Sequence, residues 1–322
     1  MIMRTLLTFA VTFSLACPST VSAQMPNDGF MMKPGVLCID VTYEHSRWNE
    51  YWEGTLKRDN ENVGTLRRHT LSPMFNLGIV KWLNAMASVH YVITEPTAGQ
   101  IEGAKGFSDF NFWLKAEAWR KKLGPGTFNI LATAGLMVPM SDYVPDYPYA
   151  IGLGCIEGNF KGILQYRFDK GFFVRAHTGY MIRGNSKLQR DYYFTTEGYY
   201  SDECEMPNAL DYSGAVGYYL PDKQIRAEII VDGMHTFGGF DMRRQDMPFP
   251  SNKMEFTRMG AGVHYYPSFA PGLDIHAAGG YTLTGRNVGQ AAVMNFGLSY
   301  VFQTWKREKK TEDKPAYERP MN

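Results

Sequence analysis

Residues 291–302 read Ala-Ala-Val-Met-Asn-Phe-Gly-Leu-Ser-Tyr-Val-Phe, and their alternation decides the fold class. Ala292, Met294, Phe296, Leu298, Tyr300 and Phe302 fall on one parity; Val293, Asn295, Gly297, Ser299 and Val301 fall on the other. A two-residue period over this length makes a β-strand with one apolar face and one wetter face. Such a strand is stable only among partners of the same kind.

Eleven further segments with that period lie upstream. In the first, 36–44, Leu37, Ile39, Val41 and Tyr43 oppose Cys38, Asp40, Thr42 and Glu44. The rest begin near residues 65, 83, 109, 128, 160, 172, 210, 225, 259 and 273. Roughly ten residues is the length a tilted strand needs to cross a bilayer. Connections alternate between five tight turns, such as Asp169-Lys170-Gly171, and six longer loops. Because the first and last connections are both long, both termini fall on the short-turn side, which in bacterial barrels is the periplasm. Aromatic residues gather at both strand ends: Phe75, Tyr166, Phe172 and Tyr300 at one, Tyr43, Tyr91, Tyr180 and Tyr281 at the other. Bilayer interfaces favour such girdles. The expected fold is all-β: a single antiparallel up-and-down transmembrane β-barrel of about 12 strands over 36–302, both termini periplasmic. The alternative is a soluble β-sandwich with its apolar faces packed together.

Composition supports the barrel. The chain holds 20 Tyr and 20 Phe and is 14% aromatic, and strands favour such residues. A net charge of +1 points to no nucleic acid and no anionic surface as partner. Residues 1–23 read as an export signal: Arg4, an apolar run from Leu6 to Ala16, and Val21-Ser22-Ala23 before the cut. Leu15-Ala16-Cys17 offers a lipoprotein-type signal as a rival reading. No later run is long and apolar enough for a helical span. The lead-in 24–35 is short and looks unable to form a plug. The tail 303–322 is highly charged, contains Pro315 and Pro320, and reads as a solvated, disordered periplasmic extension.

The inward parity supplies the lumen-lining candidates. Acidic members are Asp40, Glu44, Glu117, Glu228, Asp232 and Asp274, with Asp109 beside them. Basic members are Lys115, Arg167, Arg175, Arg183, Arg226 and Arg258, with Lys161 beside them. The two signs balance, so the charges are expected to pair and stiffen the wall, with no strong ion selectivity. His264 and Asp274 fall opposite each other and read as one such pair. His90, His177 and His276 share the interior with Met86, Met137, Met181, Trp113 and Trp119. Methionine adapts to varied apolar ligands, so these soft residues either line an amphipathic passage or merely fill volume.

The chemistry of catalysis is thin. Ser88 and His90 share a face two residues apart, and such side chains project in parallel. His264 and His276 lack an evident third metal ligand. No cofactor motif occurs, and no enzyme activity is expected. The mature chain keeps three cysteines, Cys38, Cys155 and Cys204; Cys155 and Cys204 lie in expected outer loops, as a disulfide or as free, partly buried thiols.

Several stretches resemble a known group. These are 50–60 (Glu-Tyr-Trp-Glu-Gly-Thr-Leu-Lys-Arg-Asp-Asn), 106–115, 136–143, 247–254 (Met-Pro-Phe-Pro-Ser-Asn-Lys-Met) and 285–290 (Gly-Arg-Asn-Val-Gly-Gln). They resemble transporter-type outer-membrane barrels of Bacteroidetes, similar to the meta-pathway phenol-degradation and FadL-like barrels. The resemblance implies passive uptake of a small amphipathic or hydrophobic, even aromatic, solute through the outer membrane of a Gram-negative bacterium. It implies as partners outer-membrane lipid, the solute, and the barrel-assembly machinery, which reads a terminal aromatic strand. The FadL-type channels carry an N-terminal hatch, for which 24–35 looks too short. A non-transporting barrel that binds a partner through its aromatic loops is the second expectation.

Overall fold

The computed structural model describes residues 25–100, 102–242 and 247–305. The expected export signal and residues 306–322 of the expected tail lie outside the described residues. The barrel strands are β1 (Val36–Trp48), β2 (Leu66–Val80), β3 (Leu83–Pro96), β4 (Lys105–Leu123), β5 (Gly126–Pro139) and β6 (Glu157–Phe168). They continue with β7 (Phe172–Arg183), β8 (Ala209–Tyr219), β9 (Ile225–Thr236), β10 (Glu255–Tyr265), β11 (Leu273–Arg286) and β12 (Ala292–Gln303). All twelve close into one antiparallel barrel, each pairing with its neighbours in sequence. β1 meets β12 along a seam from Val36↔Gln303 to Arg47↔Ala292. The tight turns gather at one end of the barrel, the turn end; the long connections gather at the other, the loop end.

Alternation has the physical effect its pattern predicts. On β12, Met294, Phe296, Leu298 and Tyr300 are 48–56% exposed, whereas Val293, Ser299 and Val301 are buried. Most large apolar side chains of the wall face outward, as a barrel in hydrocarbon requires and a soluble sandwich forbids. Aromatic rings cluster at the turn end, where Phe168 contacts Tyr166 and Phe172, and at the loop end, where Tyr91 meets Phe107 edge-on.

Bulges correct the simple parity in places. Glu117 faces Leu131 and Trp119 faces Ile130, so Ala118 is an extra residue on β4. The insertion reverses the parity beyond it. Trp119, expected in the lumen, is therefore outside, 41% exposed, its ring 5.9 Å from that of Phe128. Another irregularity, opposite Val89–Tyr91, leaves both Ser108 and Asp109 buried on the inner side of β4. Strand ends also run further than the pattern shows, β1 to Trp48 and β12 to Gln303.

The lead-in departs most from expectation. Residues 25–35 cross the lumen at the turn end instead of trailing away. Lys115, fully buried on β4, donates to Asp28 Oδ1 at 2.6 Å and to the Met25 carbonyl at 2.9 Å. Gln165 of β6 reaches the Gly29 carbonyl, and the Phe30 ring lies 5.2 Å from the Arg226 guanidinium of β9. Met32 packs with Val36, Cys38 and Val301. The segment passes so close over Gly78 that a Cβ there would lie 2.1 Å from the Lys33 carbonyl. A plug therefore needs less chain than length alone suggests. A buried ammonium demands a counter-charge, and Asp28 brings the lead-in to it.

Candidate functional site

The site is the lumen, and its two halves differ. In the turn-end half, charged side chains projected by neighbouring strands neutralise one another. Arg175 Nη2 lies 3.1 Å from Glu228 Oε2, and Arg226 Nη2 lies 3.7 Å from Glu228 Oε1. His264 Nδ1 lies 3.0 Å from Asp274, the pairing expected from the hairpin, and His276 Nε2 lies 3.7 Å from Asp40. Ser299 donates to Asp40 across the seam at 2.6 Å. Arg167 keeps the inward parity but sits exposed near the turn-end mouth, and Glu117 bonds Arg120 at 2.7 Å. Met86 is buried here, as are Phe173 and Tyr266.

Further along the wall, Asp211 of β8 takes both Lys161 and His177, the latter at 3.4 Å. The Lys161 ammonium stands 5.4 Å from the Trp113 ring, which lies so close to Gly135 that a Cβ there would be 2.3 Å from it. Arg183 bonds Glu157 at 2.8 Å and is flanked by the sulfurs of Met181 and Met234. Arg258 bonds Asp232 at 2.8 Å. Asp28, Asp211 and Glu157 were not among the sequence candidates. Asp211 lies on the inward parity beside Leu210 and Tyr212, so that signal was present; Glu157 and Asp28 lie outside the segments read as strands.

Toward the loop end a cavity of about 340 Å³ opens between β1 to β5 and β12. Its wall is formed by Thr42, Glu44, Arg68, Thr70, Ser72, His90, Ser108, Asp109, Asn111, Met137 and Asn295. Met137 is the one apolar side chain among them. The Arg68 guanidinium donates to the carbonyls of Ala150 and Ile151, tying the 140–156 loop over this side of the barrel. Asp109 accepts from Tyr143 and Ser108. Burial, with that carboxylate, raises the Tyr143 hydroxyl well above its ordinary range.

Two clusters have the residue types of chemistry without its geometry. Ser72 Oγ lies 2.6 Å from His90 Nδ1, and Asn111 Nδ2 lies 2.8 Å from His90 Nε2. The Asn111 amide nitrogen only donates, so Nε2 accepts and Nδ1–H points at the serine. That tautomer cannot take the serine's proton. Ser88 is farther, at 3.4 Å. His264, Asp274 and His276 bring ligand atoms within 4.8 Å of one another, and Asp274 is the third group that spacing alone did not supply. Arg226 also donates to His264 Nε2, so Nδ1 carries the proton shared with Asp274. A cation on Nδ1 would push that proton onto Nε2, against the guanidinium.

On the other side of the barrel, three loops meet at one residue. Asn287 is fully buried at φ +50°, a left-handed conformation asparagine tolerates. Its Oδ1 accepts from the Gly54 and Met242 amides at 2.7 and 3.0 Å; its Nδ2 donates to Asp241 and the Lys253 carbonyl at 2.8 and 2.7 Å. Trp52 N–H also bonds the Val288 carbonyl. Three stretches that carry the family resemblance, 50–60, 247–254 and 285–290, thus meet here, away from the cavity.

The Cys155–Cys204 disulfide expectation fails. Both are buried thiols: Cys155 Sγ lies 3.4 Å from Met206 Sδ, and Cys204 packs with Leu188 and Tyr193. Burial pushes the Cys155 thiol up to about 11 and that of Cys204 up to about 12, so the thiolate that disulfide exchange needs is scarce.

No protein-family model matches the sequence, and no curated protein matches it. Among solved structures, an outer membrane channel from Pseudomonas putida F1 matches with TM-score 0.69 at 13% identity, covering 87% of this chain and 100% of that one. The NanC porin matches with TM-score 0.46 at 10% identity over 81% of this chain and 98% of its own. At such identities the likeness is one of fold. The fold is that of the outer-membrane barrels.

Proposed function

We propose that the chain is an outer-membrane channel passing small, hydrogen-bonding solutes down their gradient. In this reading the loop end faces outside and the turn end, with both termini, faces the periplasm. The observation that carries it is the polar cavity inside an apolar-walled barrel. A hydrocarbon solute there would strip water from hydroxyl, carboxylate and imidazole groups without replacing their hydrogen bonds. The lining therefore favours amphipathic or polar solutes over purely hydrophobic ones, and the buried methionines and aromatics serve mainly to pack the turn-end half. Segment 25–35 acts as the periplasmic constriction.

Single-channel recording in synthetic bilayers tests the reading, together with swelling of proteoliposomes in small amino acids, sugars and phenolic alcohols. Discrete conductance steps and faster swelling with the polar solutes are expected. A barrel tight to ions and to every solute would overturn it.

A second reading has one observation of its own. In the 184–208 loop, Tyr192, Phe194, Tyr199 and Tyr200 are each more than half exposed, and Tyr200 contacts the rings of Tyr192 and Phe194 edge-on. Such a patch suits a partner surface. Removing the loop would then abolish adhesion and leave permeability unchanged.

A further inference from the structure

The strand register sorts the outer wall of β1 to β4 into rows at the loop end. One row holds Tyr43, Leu71, Tyr91 and Phe107, paired in that order across the four strands. The next holds His45, His69, Ile93 and Lys105. Beyond it stand Arg47, Arg67 and Glu95. All share the lipid-facing parity of Val41 and Phe75. Tyr43 and Phe107 mark the interface with the bilayer, so the two charged rows stand at headgroup depth.

Arg47 and Arg67 are exposed and directly opposite each other. Like charges so placed repel. Among the described residues neither makes an ion pair, and neither does Lys105. Glu95, the one carboxylate in these rows, has its contact with His69 Nε2, at 4.0 Å. Elsewhere on the same rim the charges are matched: Glu255 holds His235 at 3.0 Å and Lys253 at 3.2 Å. The excess positive charge on one arc is what an anion bridging two guanidiniums would relieve, and Arg–phosphate contacts are bidentate and strong.

We propose that the Arg47–Arg67 pair, with Lys105, is a binding site for a phosphorylated glycolipid headgroup of the outer leaflet. The proposal rests on the orientation given under the proposed function, which puts the loop end in that leaflet. The phosphate bridges the two guanidiniums while acyl chains descend over Tyr43, Leu71 and Tyr91. A lipid is favoured over free phosphate because the cations stand directly above an apolar, lipid-facing wall.

Native mass spectrometry of the full chain in detergent, with bisphosphorylated lipid A, tests it. The wild type is expected to retain lipid A, and R47Q/R67Q to bind it at least about tenfold more weakly, the scale of losing charge-assisted hydrogen bonds. R47K/R67K should fall between. Equal binding by wild type and R47Q/R67Q would overturn the site, as would equal binding of fully dephosphorylated lipid A. Competition by millimolar inorganic phosphate as effective as by lipid A would overturn the lipid as occupant. Conductance of R47Q/R67Q in phosphatidylcholine bilayers is expected to be unchanged, so failure of this site and failure of the channel reading are separate results.

Discussion

The two ends of the lumen solve opposite problems with the same wall. At the turn end, residues 25–35 and the Lys115, Arg175 and Arg226 side chains fill the space, with Lys115 and Arg226 almost wholly shut from water. At the loop end the wall stands back around a cavity, and the 140–156 loop, tied by Arg68, lies over that side. Filling by ion pairs makes a plug that is specific yet costly to break on one side only, because the remaining charge stays buried. Roofing by loops tied at their edges leaves room below. Under the proposed channel reading, residues 25–35 would limit flow at one end and the cavity lining would select the solute at the other.

Breaking the contrast at its strongest point means deleting residues 25–33. Conductance in planar bilayers is expected to rise several-fold, since nothing else crosses the lumen at that level among the described residues. An unchanged conductance would show that the segment does not limit flow. Lys115→Met strands the Asp28 carboxylate and should cost about 3–5 kcal/mol, read as a lower temperature for the gel shift from folded to unfolded barrel; adding Asp28→Asn should restore most of it. Asn287→Ala is smaller, about 1–3 kcal/mol through unsatisfied buried backbone groups. It should show as faster protease cleavage in 49–65 and 237–254, with the barrel core intact.

The smallest effect is a pH dependence of the roof. The Arg286 guanidinium, then Asn287, holds the Asp241 carboxyl below its ordinary range. A depressed carboxyl stabilises above its unfolded value, near 4, and loses that contribution as pH falls through the lower folded value. Loop cleavage should therefore rise below about pH 4 in the wild type, and much less so in Asp241→Asn. The pair is well exposed, so the difference is modest.

Much of this was legible in the residues. Strand order, loop alternation and the facing of most wall residues follow from a two-residue period, because burial on one face leaves a strand a single workable register. What escaped has particular causes. Ala118 turns Trp119 outward, and a bulge has no signature in an otherwise regular alternation. The lead-in has no periodicity at all; its place depends on Asp28 meeting Lys115, 87 residues away. Ser72, Thr70 and Asn111 carry no such signal, because hydroxyls and amides on a wet face look alike until curvature shows which of them border empty space. Three of the five stretches that carry the resemblance meet in the roof at Asn287, whereas 106–115 and 136–143 supply Ser108, Asp109, Asn111 and Met137 to the cavity wall.

The seam carries a consequence for how the molecule is made. Val36 is synthesised first of the wall and Gln303 last, yet they must lie side by side. The intervening strands gain by pairing locally, whereas this final pairing must gather ends separated by the whole barrel, the kind of contact that slows folding. A slip of one residue in β12 would turn Ser299, whose bond to Asp40 spans 259 positions, from the lumen to the outer wall. Only the aligned closure gives the buried Asp40 carboxylate its hydroxyl partner from the far end of the chain, so the correct register is favoured over its neighbours by the cost of an unsatisfied buried group.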